Sequence, residues 1–256
     1  MIHPSFDITG RIALITGSSR GIGKALATGL AEAGAVVVLN ARNAEALTVT
    51  ADEIREATGA TVHARPFDVT DPTSVADGIA DIEDTVGPLD ICVNNAGMQK
   101  RAPFVDFTDE DWNSLLATNL TSSFLVGREV ARRMKPRGRG KIINIASLQA
   151  EVSRPGIAPY AATKGAIKML TRGMCADLAG SGICVNAIGP GYFDTELTAA
   201  LVADETFSDW VRGRTPAGRW GQVEDLVGTL IYLSSDASAF VNGQIVYVDG
   251  GMLSVL

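Results

Sequence analysis

Tyr160 and Lys164 stand four residues apart in Pro159-Tyr160-Ala161-Ala162-Thr163-Lys164-Gly165, with Ser147 thirteen residues upstream at the end of an apolar run. On a helix, residues i and i+4 lie on one face, so the Lys164 ammonium can approach the Tyr160 phenol. A free phenol has a pKa near ~10 and is a poor base at neutral pH. Lowering it by about two to three units takes roughly 3–4 kcal/mol. A cation about 4–5 Å away supplies energy of that order at an effective dielectric near 20. Spacing alone therefore allows a tyrosine acting as a proton-transfer group, though an ordinary amphipathic helix could also carry this pair.

A glycine turn strengthens the chemical reading. Thr16-Gly17-Ser18-Ser19-Arg20-Gly21-Ile22-Gly23 follows the apolar run Ile12-Ala13-Leu14-Ile15 and precedes a helical pattern from Lys24 to Gly34. Strand, glycine turn and helix make the context of a dinucleotide site. Glycines let the backbone approach a pyrophosphate, and a helix N-terminus favours its charge. The spacing is Gly-x-x-x-Gly-x-Gly, which by itself could be a tight turn.

Taken together these motifs resemble the short-chain dehydrogenase/reductase family, from about Phe6 to Gly251. Asn94-Asn95-Ala96-Gly97, Asn119 within Ala117-Thr118-Asn119-Leu120, Asp68 and Pro190-Gly191 add to the likeness. The resemblance implies a catalytic set of Ser147, Tyr160, Lys164 and Asn119. In it Tyr160 exchanges the proton, Ser147 orients the substrate oxygen, and Lys164 lowers the tyrosine pKa and holds the nicotinamide ribose. Asn119, in a helix that must deform there, places a water. It also implies cofactor contacts from Gly17, Ser19, Arg20, Gly21, Ile22, Gly23, Arg42, Asn43, Asp68, Val69, Asn95, Ala96, Gly97, Tyr160, Lys164, Pro190, Gly191, Tyr192 and Thr195.

The elements that must position these residues alternate along the chain. Strand patterns fall at 11–16, 35–40, 61–67, 89–93, 139–145, 182–188 and 244–248. Helical patterns fall at 21–33, 43–57, 72–86, 109–134, 159–179 and 222–234. Wholly apolar strands such as Val36-Val37-Val38-Leu39 read as parallel and buried on both faces. The fold expected is α/β, one doubly wound Rossmann-type domain over 1–256. The resemblance implies a seven-stranded parallel sheet in the order 3-2-1-4-5-6-7. At 256 residues one such domain suffices, and no linker or repeat marks a second. The alternation breaks at about 190–221, where Tyr192, Phe193, Trp210 and Trp220 sit among glycines. After a sixth strand this segment would cover the ligand end of the sheet, as a substrate lid.

Composition bounds the function. The net charge is −7 and the pI about 4.9, which argues against nucleic-acid or acidic-membrane binding. The basic run Arg132, Arg133, Lys135, Arg137, Arg139, Lys141 reads as a solvated helix end, with an acidic protein partner as the minority alternative. Cys92, Cys175 and Cys184 lack metal-ligand spacing and read as small buried hydrophobes in a reducing, cytoplasmic setting. His3 and His63 are isolated, so no metal is expected. There is no signal-peptide pattern and no membrane-length apolar stretch.

The cofactor expected is NADP (NADPH). Strand two ends Leu39-Asn40-Ala41-Arg42, and alanine stands where NAD-preferring relatives place an acid. Arg42 and Arg20 would bind the 2′-phosphate. A narrower resemblance, to the gluconate 5-dehydrogenase (5-keto-D-gluconate reductase) branch, rests on Asn95 to Phe104, Tyr160 to Cys175, Pro190 to Glu196, Arg214 to Gly221 and Phe240 to Met252. It departs at Lys100 and at Ala146, where arginine and cysteine are often found. It implies a small-molecule sugar-acid substrate, D-gluconate or its 5-keto form. Candidate contacts are Gln99, Arg101, Ser147, Gln149, Arg154, Tyr160 and Tyr192, with Glu151 as a further hydroxyl partner. Either Arg101 or Arg154 would hold the carboxylate. Alternatives are a 3-oxoacyl carrier protein reductase docking through Arg128, Arg132 and Arg133, a polyol dehydrogenase, or, less favoured, a non-catalytic NADP-binding regulator. The family also suggests a homotetramer, in keeping with the apolar tail Met252-Leu253-Ser254-Val255-Leu256.

Overall fold

The computed structural model describes residues 3–256. Seven strands form one parallel sheet in the order β3-β2-β1-β4-β5-β6-β7. They are β1 (Ile12–Thr16), β2 (Val36–Asn40), β3 (Val62–Ala64), β4 (Ile91–Asn94), β5 (Gly140–Ile145), β6 (Ile183–Pro190) and β7 (Ile245–Val248). The central strands are buried on both faces, and most of their residues are Val, Ile or Leu, with Asn94, Lys141 and Asn144 buried among them. β3 stops at Ala64, short of the expected 61–67. Pro66 has no N–H for the ladder, which accounts for the early end.

Alternate residues of each strand feed two cores. Ala13, Ile15, Val37, Leu39, Ile91 and Val93 pack under α1 (Gly21–Glu32), α2 (Ala44–Thr58) and α9 (Val227–Ser234). Leu14, Val38, Cys92, Ile142 and Val185 pack under α3 (Pro72–Thr85) and α5 (Ser122–Met134). On that second face, α6 (Ala158–Leu178) lies against β6. The chain leaves β1 toward β2 on one side and meets β4 on the other. The crevice beyond their carboxyl ends is where such a sheet takes ligands.

Three local features aim side chains at that crevice. The expected helix at 109–134 is α4 (Asp109–Leu116), a π-helical turn over Ala117–Thr121, then α5. The deformation falls on Asn119, and widened turns of this kind often mark functional positions. Thr108 caps α4 through a bond from Asp111 N, above three acids in the first turn. Next, a buried polar chain bolts α6 to the sheet. Asn94 Nδ2 donates to Asn144 Oδ1 at 2.8 Å, and Asn144 Nδ2 donates to Thr171 Oγ1 at 2.9 Å. Finally, the segment after β6 is ordered. It forms α7 (Ala199–Val202) and α8 (Glu205–Arg214), neither expected from the sequence. These pack Val211, Trp220 and Leu148 into a separate small core with Met252.

The basic run is mostly paired. Arg132 and Arg133 bind Glu129, Arg137 binds Glu83, Arg139 binds Asp90, and buried Lys141 donates to Ser238. Glu129, Glu83 and Asp90 offset part of the run's charge, and Lys141 is buried.

Candidate active site

The glycine turn is shaped by close approach. Gly17 has φ +64°, and a Cβ there would stand 2.8 Å from Ala96 Cα. A Cβ on Gly23 would stand 2.3 Å from Gly17 O and 2.5 Å from Asn95 Nδ2. Asn95 Nδ2 donates to Thr16 O at 2.9 Å and Gly17 O at 3.0 Å, while Thr16 Oγ1 accepts from Asn95 N and Ala96 N. The loop after β4 thus braces the turn after β1. Asn95, expected to touch a cofactor, spends its amide on this brace. Gly21, also at positive φ, faces open space.

A cavity of about 550 Å³ runs from this turn past the ends of β4, β5 and β6. Ser147, Tyr160 and Lys164 border its middle, and Gln99, Arg101, Gln149, Arg154 and Tyr192 its far part. Ser147 follows β5 in an extended conformation, and its Oγ accepts from Gln149 N at 3.1 Å. Lys164 is buried, and its Nζ donates to Ile145 O at 2.7 Å. Burial lowers its pKa to about 8. Nζ lies 5.7 Å from the Tyr160 ring centroid.

The expected drop in the Tyr160 pKa is not found. The tyrosine is half-open as a residue, but its hydroxyl is deep, and burial pushes the phenol upward; the Ser147 hydroxyl opposes this and Tyr192 adds to it. The Lys164 ammonium is itself desolvated and engaged by the Ile145 carbonyl, so desolvation decides the outcome. Asn119 differs as well. Its Oδ1 accepts from Met98 N at 2.7 Å, and its Nδ2 donates to Met98 O at 2.9 Å and Thr163 Oγ1 at 3.3 Å. The side chain staples the loop after Gly97 to α6.

A family model described as enoyl-(acyl carrier protein) reductase matches residues 17–253. The chain is 57% identical over 253 residues to the gluconate 5-dehydrogenase of Gluconobacter oxydans (strain 621H), with 98% of each chain covered. The chain belongs to the short-chain dehydrogenase/reductase family. It is 49% identical to the 5-keto-D-gluconate 5-reductase of Escherichia coli (strain K12), over 97% of each chain. A solved gluconate 5-dehydrogenase from Burkholderia cenocepacia J2315, in complex with NADP and tartrate, superposes with TM-score 0.96 at 55% identity, covering 98% of each chain.

In this short-chain dehydrogenase/reductase the cavity wall carries Ser19, Arg20, Ile22, Gly97, Pro190, Gly191 and Thr195 as expected. Arg42, Asn43, Asp68 and Val69 do not border it. Asn43 caps α2 through a bond from Ala46 N, and Val69 is packed in the core. Asp68 accepts from Thr70 N and Thr70 Oγ1, which hold its carboxyl below the usual range, helped by the charge of Arg42. Arg42 is exposed, and exposed Arg20 stands 4.0 Å from exposed Glu196. Glu151 is drawn out of the cavity. It accepts from Tyr247 Oη and pairs with Lys168.

The far part of the cavity holds groups that the sequence brought together only in outline. Gln149 Nε2 donates to Tyr192 Oη at 3.3 Å. The Tyr192 ring meets Phe207, Trp210 and Trp220 edge-on, with centroids 5.6–5.8 Å apart. Phe207 was missed. Asp204 before Glu205, with Arg212 and Arg214 in the last turn, is a helix signature that would have located α8. Asn144 was missed too, since nothing local marks an asparagine in an apolar strand as a bolt.

Proposed function

We propose that the chain is an NADP(H)-dependent reductase interconverting 5-keto-D-gluconate and D-gluconate. One observation carries this reading. Ser147, Tyr160 and Lys164 share a cavity with the glycine turn and with Arg101 and Arg154, neither of which has a carboxylate partner among the described residues. Dinucleotide binding suits the residues present. Gly21 opens onto clear space, and a side chain on Gly23 would collide with the turn. Alanine at position 41 leaves no acid to repel a 2′-phosphate, and Arg20 and Arg42 are exposed beside that end. Gly17 to Gly23, Arg20, Arg42, Asp68, Thr195 and Lys164 would hold the nucleotide. When bound, it supplies the hydride in reduction and accepts it in oxidation.

The chain's own groups do the rest. The raised pKa keeps Tyr160 protonated at neutral pH, which suits a proton donor to the carbonyl oxygen in reduction. Ser147 donates a second hydrogen bond to that oxygen and fixes its direction. Lys164 stays mostly charged below pH about 8 and favours the tyrosinate once the proton has left. Asn119 acts by fixing the Met98 loop to α6. The segment 190–221 serves as the lid, with Tyr192 and the α8 aromatics over the substrate. Reduction should prevail near neutral pH, and oxidation should gain in alkali because it releases a proton.

Exposed Phe104, Val105, Phe124, Met169 and Phe240, with Leu256 at the end of the tail, leave apolar surface that association would cover. This supports self-association; a homotetramer is the proposed state and the cytoplasm the proposed location. No helix among the described residues is long and apolar enough to cross a membrane. Docking of an acyl carrier protein is less well supported. Arg132 and Arg133 are committed to Glu129, and Arg128 lies over Phe124.

The test is a cofactor-oxidation assay with NADPH or NADH and a panel of 5-keto-D-gluconate, neutral ketoses and an acetoacetyl thioester. Preferential NADPH oxidation with the keto acid is expected. Faster turnover of the thioester or of a neutral ketose would reject the substrate.

A further inference from the structure

Arg154 lies between Ser147 and α6, on the cavity wall. Its guanidinium carbon stands 5.2 Å over the Phe207 ring of α8. Among the described residues its buried Nε has no hydrogen-bond partner, and its Nη1 donates to the carbonyl of neighbouring Pro155, at 3.4 Å. Gln149 is 8% exposed, and its Oε1 is also buried and unmet. A donor and an acceptor without partners therefore border one cavity. Buried polar groups left unmet are costly, so such a pair marks a place where a ligand completes the bonding. Arg101 shares the wall; burial first, and Arg154's charge second, lower its pKa. Among the described residues no carboxylate pairs with either arginine.

The two arginines are not equivalent. An arginine stacked on an aromatic ring uses its face, which leaves the in-plane N–H groups free for a carboxylate. Only Arg154 has such a brace. Phe207 in turn packs on Tyr192, which receives a hydrogen bond from Gln149. Tyr192 is pushed up by burial and held back by Arg154, first through its charge and then through a side-chain hydrogen bond, so cation and phenol share one environment.

We propose that Arg154 is the receptor for the substrate carboxylate and that Phe207 is the positioning residue that presents it, coupling capture of the acid to the seating of α8. The proposal rests on the sugar-acid reading above. A loose Arg154 would have to be ordered at each binding event, which weakens affinity without touching the proton transfer at Tyr160. Loss of Phe207 should therefore appear in KM and spare kcat.

The experiment compares the parent with R154Q, R101Q, F207L and F207Y in two readouts. NADPH binding, followed by nucleotide fluorescence, checks that each variant is folded. In steady-state reduction, R154Q is expected to raise KM for 5-keto-D-gluconate by about ten- to a hundredfold, the usual effect of losing a charge-assisted bond. It should leave a neutral ketose such as fructose little affected. F207L should raise KM severalfold at nearly constant kcat, and F207Y, which keeps the stack, should restore it. The second readout is intrinsic tryptophan fluorescence during titration with D-gluconate, since Trp210 lies 5.4 Å from Phe207. A saturable change is expected in the parent, lost in R154Q and weakened less in R101Q. An unchanged KM in R154Q, or an R101Q defect as large as that of R154Q with F207L silent, overturns the receptor assignment. A parent without the fluorescence change overturns the coupling to α8. If the parent does not reduce 5-keto-D-gluconate yet shows a carboxylate-dependent change that R154Q abolishes, the sugar-acid reading falls and the receptor stands.

Discussion

Lys164→Met should change the pH dependence of stability in a way that isolates the cost of burying the lysine. Lys164 is 5% exposed and its pKa falls from the ordinary 10.5 to about 8 through burial. At ~1.36 kcal/mol per pH unit this corresponds to about 3 kcal/mol. Below pH about 8 the lysine is charged in both states, and the folded form carries the full cost. Between about 8 and 10.5 the folded protein releases the proton while the unfolded chain keeps it. The unfolded state then binds more protons, so stability rises with pH. Methionine has no such titration. The parent should therefore gain about 3 kcal/mol relative to Lys164→Met between pH 7.5 and 10.5. The lost hydrogen bond to Ile145 O shifts the whole curve by about 1.5–3 kcal/mol but contributes little slope. At pH 7.5 the two effects nearly cancel, and the variant should be within about 2 kcal/mol of the parent. Urea unfolding of both proteins at half-unit steps, without added nucleotide, measures the difference; groups common to both cancel. A difference that stays flat from pH 7.5 to 10.5 would mean that Lys164 is not held in a desolvated site.

Three further outcomes are expected. Tyr160→Phe should abolish turnover and leave NADPH binding largely intact, because only the proton-carrying oxygen is lost; activity within a few-fold of the parent would remove Tyr160 from the mechanism. Arg42→Ala should raise KM for NADPH about ten- to a hundredfold more than for NADH, the usual consequence of losing a charge-assisted phosphate contact; equal effects would show that Arg42 does not read the 2′-phosphate. Light scattering at micromolar concentration should give the mass of four chains, and a monomer would refute the tetramer.

The sheet was legible because its information is local. Unbroken apolar strands and glycine-bounded helices state the element order, and a parallel doubly wound sheet is the usual way to bury such strands. The departures have separate causes, two of them local. Pro66 shortened β3 from within its own run. The helices of 190–221 carry a local signal as well, since Asp204 accepts from Phe207 N as a cap should. The staple made by the Asn119 side chain has no local signal, because its partners Met98 and Thr163 lie 21 and 44 residues away.

The Tyr160–Lys164 pair shows what spacing can and cannot state. Four residues on a helix do place both groups on one face, and both border the cavity. The Coulomb attraction that would lower the phenol pKa presumes a dielectric near that of a protein surface. The fold instead buries both groups, and desolvation acts on each toward its neutral form, raising the tyrosine and lowering the lysine. A neutral phenol beside an ammonium that gives up its proton near pH 8 suits the donor role proposed for Tyr160 in reduction. The same burial that makes the lysine costly to the fold therefore brings its titration down to about pH 8. Nothing in the sequence carries that information, because it depends on how deep α6 sits against β5. That depth is set by the bolt from Asn144 to Thr171 and by the Lys164 bond to Ile145 O.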